Sequence, residues 1–161
     1  MPTVKQVLDI CRAEIGYTET GNNLNKFGKN LGENGVSWCA LFLLDCLIKA
    51  GFTYYKNKIT EYDYCPAWYN AFVKQGLEVK VPKPGDIVFY AWTPENVKNK
   101  IAYHVGIVES VKPNGDIISI EGNTAPPADT KSNQGEGGGV YRKTRSKKFV
   151  VGFGRPLYTI S

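Results

Sequence analysis

Cys39, His104, Glu121 and Asn123 are the residues of this chain whose types and spacing could make and break an acyl bond. Cys39 follows Ser37 by two positions in Ser37-Trp38-Cys39-Ala40-Leu41-Phe42, at what reads as the first turn of an apolar helix. Unpaired N–H groups and the positive end of the helix dipole favour a thiolate there. With an adjacent imidazolium, an ordinary thiol pKa of about 8.5 falls into the range of roughly 3.5 to 7.5. The same N–H groups can face the oxyanion of a tetrahedral intermediate.

The single histidine, His104, lies in an apolar strand-like run in which His104, Gly106 and Val108 share one face. Ser119, Glu121 and Asn123 share a face of the next such run, and Pro113-Asn114-Gly115-Asp116 between the runs is a hairpin signal. Either Glu121 or Asn123 could then accept from a ring N–H and fix the tautomer of the base. A thiol, an imidazole and a polar orienter make a nucleophilic acyl-transfer site. Taken singly, a buried cysteine is usually inert packing and a strand histidine a satisfied core residue; the conjunction is what points to catalysis.

Several elements must position these groups. Thr3 with Gln6 makes a capping box, and Val4, Val7, Leu8, Cys11 and Ile15 repeat at helical spacing, which predicts a helix from Thr3 to Ile15. Gly21 to Gly35 reads as a long loop holding a short helix around Leu24, Phe27 and Leu31. Ser37 as N-cap and Gly51 as stop bound a buried helix from Trp38 to Ala50. A third helix begins at Pro66 and runs to Gly76.

The pattern then becomes strand-like: Asp86 to Trp92, Tyr103 to Val111, Ile117 to Glu121, Val140 to Arg142 and Phe149 to Gly154. Helices first and strands afterwards predict an α+β domain, with N-terminal helices packed on a C-terminal antiparallel sheet. The basic run Arg142 to Lys148 is expected to be a solvated turn, and the polar loop Thr124 to Gly139 a binding rim or a disordered segment.

Composition limits what this site can serve. At 161 residues with 42% hydrophobic content, one domain can close a core without disulfide or metal. The longest apolar runs fall short of the roughly 20 residues a membrane span needs. Met1-Pro2-Thr3-Val4-Lys5 has no apolar signal segment, so the protein is not expected to export itself by that route, and if its target is outside the cell something else must release it. Cys11, Cys39, Cys46 and Cys65 are expected to be free thiols, and they lack the paired short spacings of a zinc site. The net charge of +5 favours anionic partners without naming one.

Five stretches come in a specific order: Ser37-Trp38-Cys39-Ala40-Leu41-Phe42, Pro82-Lys83-Pro84-Gly85-Asp86-Ile87-Val88-Phe89, His104-Val105-Gly106-Ile107-Val108-Glu109, Glu121-Gly122-Asn123-Thr124 and Gly152-Phe153-Gly154-Arg155-Pro156. From about Glu14 to Pro156 the chain resembles the CHAP domains, the cysteine, histidine-dependent amidohydrolases/peptidases of phage endolysins and bacterial wall hydrolases. The resemblance implies a papain-like (NlpC/P60-like) fold and thiol hydrolysis of an amide bond in bacterial peptidoglycan.

Carried over by motif, Cys39 is the nucleophile, His104 the base and then acid, Glu121 the orienter and Asn123 an auxiliary polar residue. Some members bind calcium through acidic residues before the cysteine; Asn22-Asn23-Leu24-Asn25 carries none, so neither a metal nor another cofactor is expected. Asn34, Trp38, Trp92 and Tyr103 are candidates for contacting substrate. The protein the resemblance implies is a monomer made in a host cytoplasm and acting at the cell wall, without nucleic acid, as one catalytic domain over residues 1–161. The chain stops soon after the last matched strand, which is compatible with a separate wall-binding domain lying outside it. The bond cleaved, N-acetylmuramoyl-L-alanine amide or a D-alanyl-glycyl or stem-peptide bond, stays open. A rival from another class is a non-catalytic wall-binding module that keeps the fold with an idle site.

Overall fold

The computed structural model describes residues 1–127 and 137–160. Helix α1 (Val4–Ala13) opens with the capping box, since the Thr3 hydroxyl accepts from the Gln6 N–H and the Gln6 side chain accepts from the Thr3 N–H. Helix α2 (Lys26–Leu31) is the short helix of the Gly- and Asn-rich stretch, capped by Asn25. Helix α3 (Cys39–Ala50) ends on Gly51 at φ 108°, a conformation that favours glycine. A 3-10 turn (Thr53–Asn57) leads to helix α4 (Cys65–Lys74), which carries Pro66 in its first turn.

The strands are β1 (Glu78–Val79), β2 (Ile87–Tyr90), β3 (His104–Val111), β4 (Ile117–Thr124), β5 (Gly139–Arg145) and β6 (Val150–Gly154), with the short helix α5 (Pro94–Lys98) between β2 and β3. They form one antiparallel sheet in the order β1-β6-β2-β3-β4-β5. The domain is therefore α+β, with helices preceding the sheet they pack on.

Period-2 alternation divides the sheet faces. Phe89, Val105, Ile107, Ile120, Val140 and Val151 share one apolar core with the helices, Leu41, Phe42 and Leu44 of α3 among them. Helix and sheet approach closely: a Cβ on Gly122 would lie 2.6 Å from the Cβ of Phe42. The other face carries a second apolar cluster of Val88, Tyr90, Val108, Ile117 and Phe153. No described helix is long and apolar enough to cross a membrane.

Two expectations are corrected. Ser37 does not cap α3: Trp38 occupies the N-cap position and no side chain caps the helix, so the thiol of Cys39 belongs to its first residue. The basic run is a turn only at its end, where exposed Lys147 and Lys148 open a 3-10 turn (Lys147–Phe149) before β6. Arg142 to Arg145 continue β5, and Lys143 and Arg145 are buried because their alkyl stems follow the sheet while their cationic ends find acceptors. Residues 128–136 of the expected rim lie outside the described part of the chain.

Candidate functional site

The first residue of α3 meets the first residue of β3, which brings Cys39 to His104. Both are buried, 3% and 1% exposed, so their charges act on one another with little screening by water. The ring Nε2 of His104 lies 2.7 Å from Oε1 of Glu121. With Nε2 committed to Glu121, Nδ1 is the ring nitrogen left to hydrogen-bond Cys39.

Register explains the meeting. Ile107 pairs with Ile120 and Val108 with Ser119, so Gly106 falls opposite Glu121. A Cβ on Gly106 would lie 2.9 Å from Cγ of Glu121. Glycine at 106 therefore leaves room for the carboxylate to lie along the strand and reach His104.

Every oxygen of Glu121 is engaged. Oε1 accepts from Nη2 of Arg145 at 2.7 Å as well as meeting His104. Oε2 accepts from the Ser119 hydroxyl at 2.7 Å and from Nε of Arg145 at 3.1 Å. The Tyr90 hydroxyl is 2.9 Å from Ser119 and extends this network across the sheet. Arg145 Nη2 also donates to the Thr124 hydroxyl at 3.3 Å.

These contacts set the ionisation states. Burial opposes charge on Glu121, but the positive His104, its hydrogen bond and Arg145 overcome it and hold the carboxyl down at about 2. Burial likewise opposes the imidazolium, yet the Glu121 charge and hydrogen bonds to Cys39 and Glu121 raise His104 to about 9. Cys39 is held well below an ordinary thiol by a hydrogen bond from Cys65, against burial, and further by His104 and the Val105 N–H. Both shifts favour the thiolate–imidazolium form of the pair.

Cys65 starts α4, and its Sγ lies 3.8 Å from that of Cys39, within hydrogen-bonding distance. Sharing that hydrogen bond raises Cys65 itself well above an ordinary thiol. All four cysteines are free and buried.

A family model described as a CHAP domain matches residues 31–123, more than half of the chain and the part that holds Cys39, His104, Glu121 and Asn123. The chain belongs to the CHAP domain family. No curated protein and no solved structure matches it. Membership brings with it amidase or peptidase activity on peptidoglycan in general terms.

Within this CHAP domain the remaining candidates separate. Asn123 takes a positive φ of 51° beside an irregularity in the β4–β5 pairing, and its amide reaches the Ser37 hydroxyl at 3.5 Å. The irregularity breaks the simple alternation that put Asn123 beside the ring with Glu121. Trp38 is fully buried and stacked on Phe27 with centroids 5.7 Å apart, which corrects its expected place beside substrate. Asn34 turns its carbonyl oxygen to the N–H groups of Asn25 and Gly35 and so builds the loop before α3.

Trp92 is half-buried, its ring 5.9 Å from that of His104, and forms one wall of the imidazole site. Tyr103 is 58% exposed next to His104. Asn25, in the stretch compared with calcium-binding relatives, spends its side chain on capping α2 and on the Asn23 carbonyl. Among the described residues no group of three or more His, Cys, Asp and Glu side chains gathers to hold a metal ion.

Arg145 and Cys65 are the site residues that sequence reasoning missed. The parity of β5 puts Tyr141, Lys143 and Arg145 on the face of Glu121, but that parity is usable only once β5 is known to pair with β4. Nothing local to Cys65 announces its neighbour.

Proposed function

We propose that this CHAP domain is a peptidoglycan hydrolase in which Cys39 attacks an amide or peptide carbonyl of the bacterial wall. The observation that carries the reading is the buried Cys39–His104–Glu121 chain, with Nε2 of His104 2.7 Å from the carboxylate and the thiol depressed. The thiolate adds to the carbonyl carbon. The oxyanion that forms faces the N–H groups opening α3, which no side chain caps.

His104 then gives its Nδ1 proton to the leaving amine as the C–N bond breaks, leaving a thioester on Cys39. Neutral His104 next takes a proton from water, whose oxygen attacks the thioester carbonyl. The acid product leaves, and the proton returns the site to thiolate and imidazolium. Glu121 stays ionised throughout and keeps Nε2 protonated and the ring aimed at the sulfur.

An idle wall-binding module would need neither a depressed thiol nor a buried ion pair, and those two features favour the enzyme. The test is clearing of purified cell walls by the chain and by Cys39→Ala. Loss of clearing with wall binding retained supports the mechanism; clearing by C39A sinks it. Mass spectrometry of released fragments then assigns the bond as amide or peptide.

A further inference from the structure

A buried cation is an unusual choice for the far side of this site. The Arg145 side chain is 7% exposed, stands with Cζ 4.9 Å from the Trp92 ring centroid, and grips both oxygens of Glu121. Ser119, itself bonded to Tyr90, already gives Oε2 a neutral donor. Removing a guanidinium from water is costly, so satisfying hydrogen bonds is a poor reason to bury one here.

The reaction supplies a better reason. His104 must hold a proton in the resting pair and then surrender it to the leaving amine, and a general acid works best when its pKa lies near the working pH. A buried carboxylate facing the ring alone would hold that proton too tightly. The guanidinium offsets the carboxylate, as the imidazolium offsets the thiolate.

We propose that Arg145 is a positioning residue of the thiol site, fixing Glu121 against Nε2 of His104 and offsetting its charge so that the imidazolium remains able to give up its proton. This rests on the thiol mechanism above and extends it to a residue of β5. The ionisable groups around the pair come from every element packed on it: Cys65 from α4, with Asp63 acting on it, Tyr90 from β2, Glu121 from β4 and Arg145 from β5. Lys143, also on β5, directs its ammonium to the Ala125 carbonyl.

The experiment uses the full chain with Arg145→Gln and Arg145→Lys. Cys39 alkylation by iodoacetamide is followed against pH, with peptide mass spectrometry separating Cys39 from the other thiols, and wall hydrolysis is followed over the same range. In R145Q the alkylation midpoint and the alkaline limb of hydrolysis are expected to move up by about one pH unit, with turnover down about tenfold or more. R145K should return both to near the wild-type positions while hydrolysis stays below wild type, because an ammonium restores charge but not the fork.

A folded R145Q with both profiles unmoved overturns the proposal. If Gln prevents folding, R145K carries the test: unmoved profiles support a charge role, and profiles displaced upward by about a unit refute it. Alkylation reads the thiol without any wall substrate. Shifted alkylation in a protein whose wall clearing does not depend on Cys39 would therefore fault the function while leaving the role of Arg145 standing.

Discussion

Cys39 and Cys46 lie on one helix, are both buried, and each faces another thiol, yet their protons behave in opposite ways. Cys46 is pushed well above an ordinary thiol by Cys11, by burial and by the negative charges of Asp45 and Glu14. Cys39 is pulled well below by Cys65, His104 and the Val105 N–H. Burial is common to both and so cannot make a nucleophile. What differs is the sign of the charges that each sulfur faces, and its place on the helix. Cys39 has uncapped N–H groups and an imidazolium; Cys46 sits mid-helix among carboxylates, where the backbone N–H groups are already spent.

The largest expected effect separates the two by substitution. C39A should lower wall hydrolysis at least about 10³-fold, whereas C46A should leave turnover within about twofold and cost stability of about 1–2 kcal/mol through a small cavity. Turnover and thermal denaturation of both variants check this, and a C46A as inactive as C39A would erase the contrast. Chemical reactivity should follow the same division. At pH 7 iodoacetamide should label Cys39 at least about 100-fold faster than Cys46, by peptide mapping over time.

Glu121→Gln tests the charge facing the imidazole. It keeps the shape but removes the anion holding the ring, and turnover should drop about 10²- to 10⁴-fold with the alkaline limb moved down. A fold-intact E121Q with an unshifted limb would show that the carboxylate only fills space.

The pH profile is a further check. The proposed mechanism needs thiolate and imidazolium together, so activity should fall on the alkaline side as His104 loses its proton near about 9. On the acid side it should fall only below the ordinary thiol range, as Cys39 protonates. Stability follows from the same shifts. His104 is raised on folding, so its contribution is full below its unfolded value of about 6.5 and lost as pH climbs through about 9. Glu121 is depressed, so its contribution holds above about 4.3 and goes as pH falls through about 2. Denaturant midpoints across pH measure both. Cys65→Ala removes the hydrogen bond that does most to hold the thiol down, so it should raise the Cys39 alkylation midpoint by about one pH unit or more while lowering turnover far less than C39A does.

Much of this arrangement was legible in the chain. The capping box of Thr3 and Gln6, the Gly51 stop and the Asn114-Gly115 turn are local rules, decided by residues a few positions apart, and each appears where the sequence put it. His104 and Glu121 do share one face, but a register shift between Val108 and Ser110 puts them there: beyond it Gly106 falls opposite Glu121, whereas the register next to the turn would set Glu121 against Ile107 and on the other face. The Ser37 cap failed for a related reason: a good cap residue was available, but α3 starts two positions later and the Ser37 hydroxyl meets Asn123 instead.

The sequence by itself determined the α+β order, the thiol at a helix start and a histidine and a carboxylate on paired strands, since periodicity, a stop residue and a tight turn act over short range. Only the tertiary structure decided what tunes them. Cys65 comes to the thiol from 26 residues away and Arg145 to the carboxylate from 24 residues away, through a helix packing and a strand pairing that no local pattern encodes. A pKa responds to the charges and donors in space around a group, and that neighbourhood exists only after long-range contacts have closed.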